Sequence, residues 1–307
     1  MKNKHLIYVL FIIVLFSTYS ELLWTASGRT SPPYYNMAMG AVFTCFALLH
    51  GGTYVGRKCI ISLAVLTFVI SFIMEYTGVK TGLIYGEYHY GDALGIKIFD
   101  TVPLLIPFSW FMFMYVSTVT VDAAFGDRFA GRSAPFLFAF FDAAAMTALN
   151  VLIDPLWVTG GTWTGTTVQA LPSGSVFYGI PAQNYFGWLL TTIMIFIPYR
   201  MIFFRNRNRF AARDRDFFLP CLIYASIITV GNIKSWMVLA NTGIIFVTIM
   251  TGGVFSLAAL AGFLSCRSGR SGPAEKRQRQ GHPDSFQEDD QISYNNKIAR
   301  KTKQYGN

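Results

Sequence analysis

Charge is scarce in this chain. Only 13% of its 307 residues are Asp, Glu, Lys or Arg, against about 25% in an ordinary soluble domain. A soluble fold of this length would need far more charge to cover its surface. Cysteine is scarce too: Cys45, Cys59, Cys221 and Cys266 lie in or at the ends of apolar runs and form no CxxC pair. That spacing argues against both a disulfide framework and a cysteine zinc site. His5, His50, His89 and His282 are too scattered for a histidine metal centre. There is no HExxH, no GxSxG and no P-loop, and no paired aspartate-rich motif of the kind that holds a magnesium diphosphate. No internal repeat stands out.

What the chain has in abundance is apolar surface, at 53% of residues, with 16% aromatic. A spanning helix needs roughly 20 apolar residues. Candidate spans lie at about 6–24, 36–56, 59–76, 102–124, 134–153, 183–203, 217–239 and 243–265. The fold class expected is therefore all-α, a polytopic transmembrane bundle of about eight helices. Asn184-Tyr185-Phe186-Gly187-Trp188 opens the sixth span with interface-belt residues, and Asn241-Thr242-Gly243 is a turn trio between the last two.

Net charge is basic, but the Lys and Arg sit between apolar runs and in the tail, which points to a membrane rather than to nucleic acid. Of the 25, 21 fall on one side of the bundle: Lys2, Lys4, Arg57, Lys58, Arg128, Arg132, Arg200, Arg205, Arg207, Arg209, Arg213, Arg215 and nine of the tail. Arg29, Lys80, Lys97 and Lys234 fall on the other. The positive-inside rule then makes both termini cytoplasmic and turns residues 77–101 and 154–182 outward. The expected location is the cell (inner) membrane. Residues 1–27 also carry signal-peptide features, namely Lys2, Lys4, an apolar core and Thr25-Ala26-Ser27. Glu21 and the lack of a large secreted domain weigh against that reading. Residues 1–266 form the expected helical domain, and 267–307 a disordered basic cytoplasmic tail.

Acidic groups within or at the rim of a membrane are costly and ask for a reason. Glu21, Glu75, Asp100 and Asp154 are expected near the outer face, Asp142 mid-way along the fifth span, and Asp122 near the inner end of the fourth. Glu75 and Asp154 differ from the other rim carboxylates because each leads into an unusual loop. The first runs Glu75-Tyr76-Thr77-Gly78, through Gly82 and Gly86, to Glu87-Tyr88-His89-Tyr90. Glycines every fourth residue permit close backbone approach on one side of a helix or turn. Alternate tyrosines point the same way if the segment is extended. The second loop follows Asn150-Val151-Leu152-Ile153-Asp154-Pro155. Asn150 and Asp154 share a helix face, and Pro155 is expected to help end that helix.

Glu75 through Trp110, with Gly78, Gly82, Gly86, Tyr88, Tyr90, Pro103 and Trp110, resembles the carotenoid-biosynthesis membrane family that includes carotenoid 1',2'-hydratases and bisanhydrobacterioruberin hydratases. Asp154-Pro155 through Asn184 to Gly187-Trp188 is similar to the same family in order and spacing. The resemblance covers roughly residues 70–190. Two positions depart from the family pattern: Asn150 stands where a second aspartate is common, and Trp163-Thr164-Gly165 replaces a Trp-x-Trp pair.

The resemblance implies hydration of the terminal double bond of a long acyclic polyene, with no cofactor and no metal. An acid would protonate the terminal alkene carbon, and water would capture the tertiary cation. Asp154 and Glu75 are the expected catalytic carboxyls; Asn150, Tyr88, Tyr90, Trp110, Asn184 and Trp188 are the expected substrate-binding residues. A carboxyl can serve as the acid only if it stays protonated near neutral pH, which desolvation favours. Aromatic faces can stabilise the cation. The expected partners are the polyene, water, the bilayer and other enzymes of the carotenoid pathway. A transporter or scaffold without catalysis is the alternative, but it usually shows inverted repeats or broken helices at the midplane, and neither is legible. A retinal-type Schiff base at Lys234 is a further alternative, and snorkelling at the outer end explains that lysine more cheaply.

Overall fold

The computed structural model describes residues 4–29, 31–126, 129, 131–165, 180–204, 215–239 and 248–267. Among these the chain forms helices α1 (Lys4–Ala26), α2 (Pro33–Gly51), α3 (Arg57–Thr81), α4 (Leu105–Phe125), α5 (Ala134–Thr159), α6 (Ala182–Phe203), α7 (Leu219–Leu239) and α8 (Val254–Arg267). The protein is an all-α polytopic bundle, as its apolar runs require. In lipid a helix satisfies every backbone group within one segment.

Six helical stretches among the described residues are long and apolar enough to cross a membrane, and the shorter Ile249–Leu264 is apolar as well. One stretch, Pro33–Thr81, is 49 residues long. As a straight helix it would measure about 74 Å, more than twice a hydrocarbon core of roughly 30 Å. It is not straight. A π-helical turn, Gly52–Gly56, joins α2 to α3, and Gly56 takes φ +113°, a conformation only glycine adopts without strain. Gly51 also lets the two helices meet, since a Cβ there would lie 2.7 Å from Ile60.

Two expected boundaries move. Glu75 and Asp154 do not end their helices: α3 continues to Thr81 and α5 to Thr159, with Pro155 inside α5. The proline removes one backbone donor without stopping the helix. Both carboxyls therefore sit about one turn or more inside the bundle, and both are buried. Asp100 stands five residues before α4. It lies with Phe99 in a tight turn, both at positive φ, between the paired strands Lys97–Ile98 and Val102–Pro103.

α3, α4, α5 and α6 pack as a ring in which α3 and α5 each touch α4 and α6. α4 is buried along nearly its whole length, whereas α1 shows Ile12, Phe16 and Leu23 to the outside. Arg200 is another correction. It belongs to α6, not to a cytoplasmic loop, and is buried. Its guanidinium donates to both Asp142 oxygens (2.6 and 2.8 Å), to Asp122 (2.7 Å) and to Thr118 Oγ1 (2.7 Å). Asp142 is thus an ion-pair partner bridging α5 to α6. Lys234 Nζ likewise donates to Glu21 at 2.9 Å, so pairing rather than snorkelling explains it. The Arg205–Arg213 cluster, the Asn241–Gly243 turn and the tail beyond Arg267 lie outside the described residues.

Candidate active site

The two loops singled out in the sequence meet. Beyond the αL cap at Gly82, where φ is +68° and the amide donates to Gly78 O, the chain turns back and becomes extended at His89–Tyr90. There it pairs antiparallel with Trp163–Thr164, with Tyr90 opposite Trp163 and His89 opposite Thr164. Glycines permit the approach. A Cβ on Gly165 would lie 2.3 Å from Glu87 O, one on Gly187 2.5 Å from Ile84 O, and one on Gly78 2.7 Å from the Tyr85 ring. The every-fourth-residue glycines therefore serve separate contacts rather than one helix face: Gly78 under a ring, Gly82 as helix cap, and Gly86 in a turn at φ +91° against Pro181.

The alternating tyrosines do point one way. Tyr88 and Tyr90 both donate to Glu75 Oε2, at 2.6 and 2.7 Å, and Trp110 Nε1 donates to Glu75 Oε1 at 2.9 Å. Burial first, and the Glu75 charge second, push both hydroxyls well above the ordinary tyrosine range, so each remains a donor. Charge-assisted bonds of this kind are worth about 1.5–3 kcal/mol each, and three of them hold one carboxyl in a single orientation. Trp110 stacks face to face on Trp188 of α6, centroids 4.0 Å apart at 16°. That contact ties α4 to α6 across the ring of helices.

Asp154 faces the same space in a different state of satisfaction. Side chains of Asn150, Trp163 and Asn184 surround its carboxyl, yet its buried Oδ2 has no well-formed hydrogen bond. Asn150 Nδ2 donates to Asn184 Oδ1 at 3.3 Å, and Asn150 Oδ1 is also unpartnered. Unsatisfied buried polar atoms are rare, and here two of them sit one helical turn apart on α5. Glu75, Asp154, Tyr88, Tyr90, Trp110, Asn184 and Trp188 all line one cavity of about 20 Å³, room for a single water. Among the described residues no group of three His, Cys, Asp or Glu could hold a metal.

Seven of the eight expected site residues thus converge on the cavity, and Asn150 stands just behind Asp154 in hydrogen-bond contact with Asn184. Six lining residues escaped sequence reasoning: Tyr85, Trp157 and Trp163, with Ile106, Ser109 and Phe113 of α4. Tyr85 is out of register with the Tyr88–Tyr90 alternation, and its hydroxyl meets Thr191 Oγ1 at 2.8 Å. Trp163 packs edge-on against Tyr88, centroids 5.8 Å apart, and only the strand pairing places it there. Tyr178 and Gly179, in the second loop, lie outside the described residues.

A family profile described as "Carotenoid biosynthesis protein" matches residues 31–258. The chain is 30% identical over 227 residues to the bisanhydrobacterioruberin hydratase of Haloarcula japonica, covering 72% of this chain and 73% of that protein. No solved structure matches.

Proposed function

This chain belongs to the carotenoid biosynthesis protein family, and we propose on that premise that it hydrates the terminal double bond of an acyclic carotenoid in the cell membrane. The observation that carries the proposal is the pair of buried carboxyls on one small cavity, one saturated with donors and one with an oxygen left open.

In this reading Asp154 is the acid. Its proton goes to the terminal alkene carbon, where the π electron pair forms the new C–H bond and leaves a tertiary cation on the neighbouring carbon. The faces of Trp110 and Trp188 and the Glu75 carboxylate stabilise that charge. A water held between Glu75 and the Asn150–Asn184 pair attacks the cation and forms the C–O bond. Glu75 takes the proton that the water releases, and a further water returns it to Asp154. The net change is the addition of one water. Tyr88, Tyr90 and Trp110 keep Glu75 from turning toward Asp154, so the two carboxyls hold separate roles.

The test is expression in a host that accumulates an acyclic carotenoid, followed by mass analysis of the pigments. The account expects products heavier by one water per modified end. A chain present in the membrane at normal level that leaves the pigments unchanged would favour a scaffold without catalysis.

A further inference from the structure

Hydration consumes a water at every turnover, and the cavity has room for about one. The polyene arrives from lipid, where water is absent, so water must reach the carboxyls by another route. On the solvent side of the first loop lies a second cleft of about 290 Å³, lined by Val79, Lys80, Thr81, Gly82, Glu87, Tyr88 and His89. Its walls carry a cation, an anion and an imidazole, which suits water far better than a polyene. One residue lines both spaces: Tyr88.

Tyr88 is half-buried and forms the partition. Its hydroxyl donates to Glu75 Oε2 at 2.6 Å, while its ring meets Tyr85, Tyr90 and Trp163 edge-on at 5.5–5.9 Å. The backbone around it turns on Gly82 and Gly86, both at positive φ. We propose that the cleft over Lys80, Thr81 and His89 is the water port of the site, and that Tyr88 is its gate, closed by the bond to Glu75. When the hydroxyl leaves Oε2, the ring can swing into the cleft and admit a water, which takes up the vacated acceptor. The same carboxyl that orients the nucleophile thus latches the door through which it comes. This inference rests on the hydratase reading above.

A small alcohol reads the port directly. If methanol reaches the cation it forms a methyl ether in place of the tertiary alcohol, again releasing one proton, so the ether-to-alcohol ratio reports what the gate admits. In membranes given an acyclic polyene and methanol, the wild-type chain should make alcohol with little ether, and Tyr88→Phe, which keeps the ring but loses the latch to Glu75, should make more ether than the wild type. Tyr88→Ala should make ether readily. A second arm does not depend on altering Tyr88. Thr81→Cys, in a chain with Cys45 and Cys266 replaced by Ser, is labelled with a bulky thiol reagent to plug the cleft. Labelling should slow hydration by about tenfold or more, as when a gating step becomes limiting, with polyene binding retained. The port is refuted if wild-type chain hydrates polyene while Tyr88→Ala yields no added ether or the plugged cleft leaves the rate unchanged. A wild-type chain that does not hydrate at all overturns the port together with the reading it rests on.

Discussion

Asp142→Asn separates structure from chemistry in this bundle. Asp142 receives two guanidinium bonds from Arg200, while Asp122 and Thr118 receive the others. Breaking a buried pair costs about 3–5 kcal/mol, chiefly because a charge is left uncompensated. Here Asp122 still faces Arg200, and an asparagine oxygen still accepts one bond, so the loss belongs at the lower end, about 3 kcal/mol. For a chain of this size that corresponds to a melting point lower by about 5 °C. Turnover per folded molecule should change little, because Asp142 does not line the cavity. The assay is detergent-solubilised protein followed by heating and fluorescence-detected size exclusion, with pigment conversion normalised to folded protein. Replacing Asp142, Asp122 and Arg200 together by Leu, Asn and Met should recover much of the stability, since an apolar substitute for a buried ion cluster is often neutral. The argument fails if Asp142→Asn melts like the wild type and yet abolishes conversion, which would make Asp142 the proton donor.

Glu75→Gln should insert normally, since an amide oxygen can still receive the Trp110 N–H and the amide nitrogen can donate to the tyrosine oxygens; conversion should nevertheless fall about 10²–10⁴-fold, the cost of losing a proton acceptor, and near-wild-type conversion would remove Glu75 from the mechanism. Gly187→Ala places a Cβ within 2.5 Å of Ile84 O and the Tyr85 ring, so it should lower both melting point and conversion by pushing α6 off the first loop; an unaffected variant would show that this contact has slack. A reporter fused after residue 215 should read cytoplasmic and one near residue 165 external, as the loop charges require; an external reading at 215 would put the carboxyl pair on the opposite membrane face.

The bundle was legible because apolar runs of membrane length have few alternatives. The Glu75 cluster was legible because alternation in an extended segment aims Tyr88 and Tyr90 together, whatever the rest of the fold does. Trp163 was not, since a two-residue ladder between segments so far apart in the chain leaves no periodic trace. Arg200 was misread because a single arginine beside the run Arg205–Arg215 looks like loop charge, and its partners lie on two other helices. Pro155 was read as a helix end on propensity alone. In a bilayer the remaining backbone bonds outweigh the one it removes, and the helix carries on for another turn.

The central claim is that Asp154 protonates the polyene and that the added oxygen comes from water. The direct measurement uses membranes containing wild-type or Asp154→Asn chain, an acyclic carotenoid and oxygen-18 water, with mass analysis of the product. The account predicts a labelled hydroxyl in the wild-type product, and conversion lower by about 10²–10⁴-fold for Asp154→Asn at equal protein level. Unlabelled product, or an Asp154→Asn chain that converts at the wild-type rate, would contradict it.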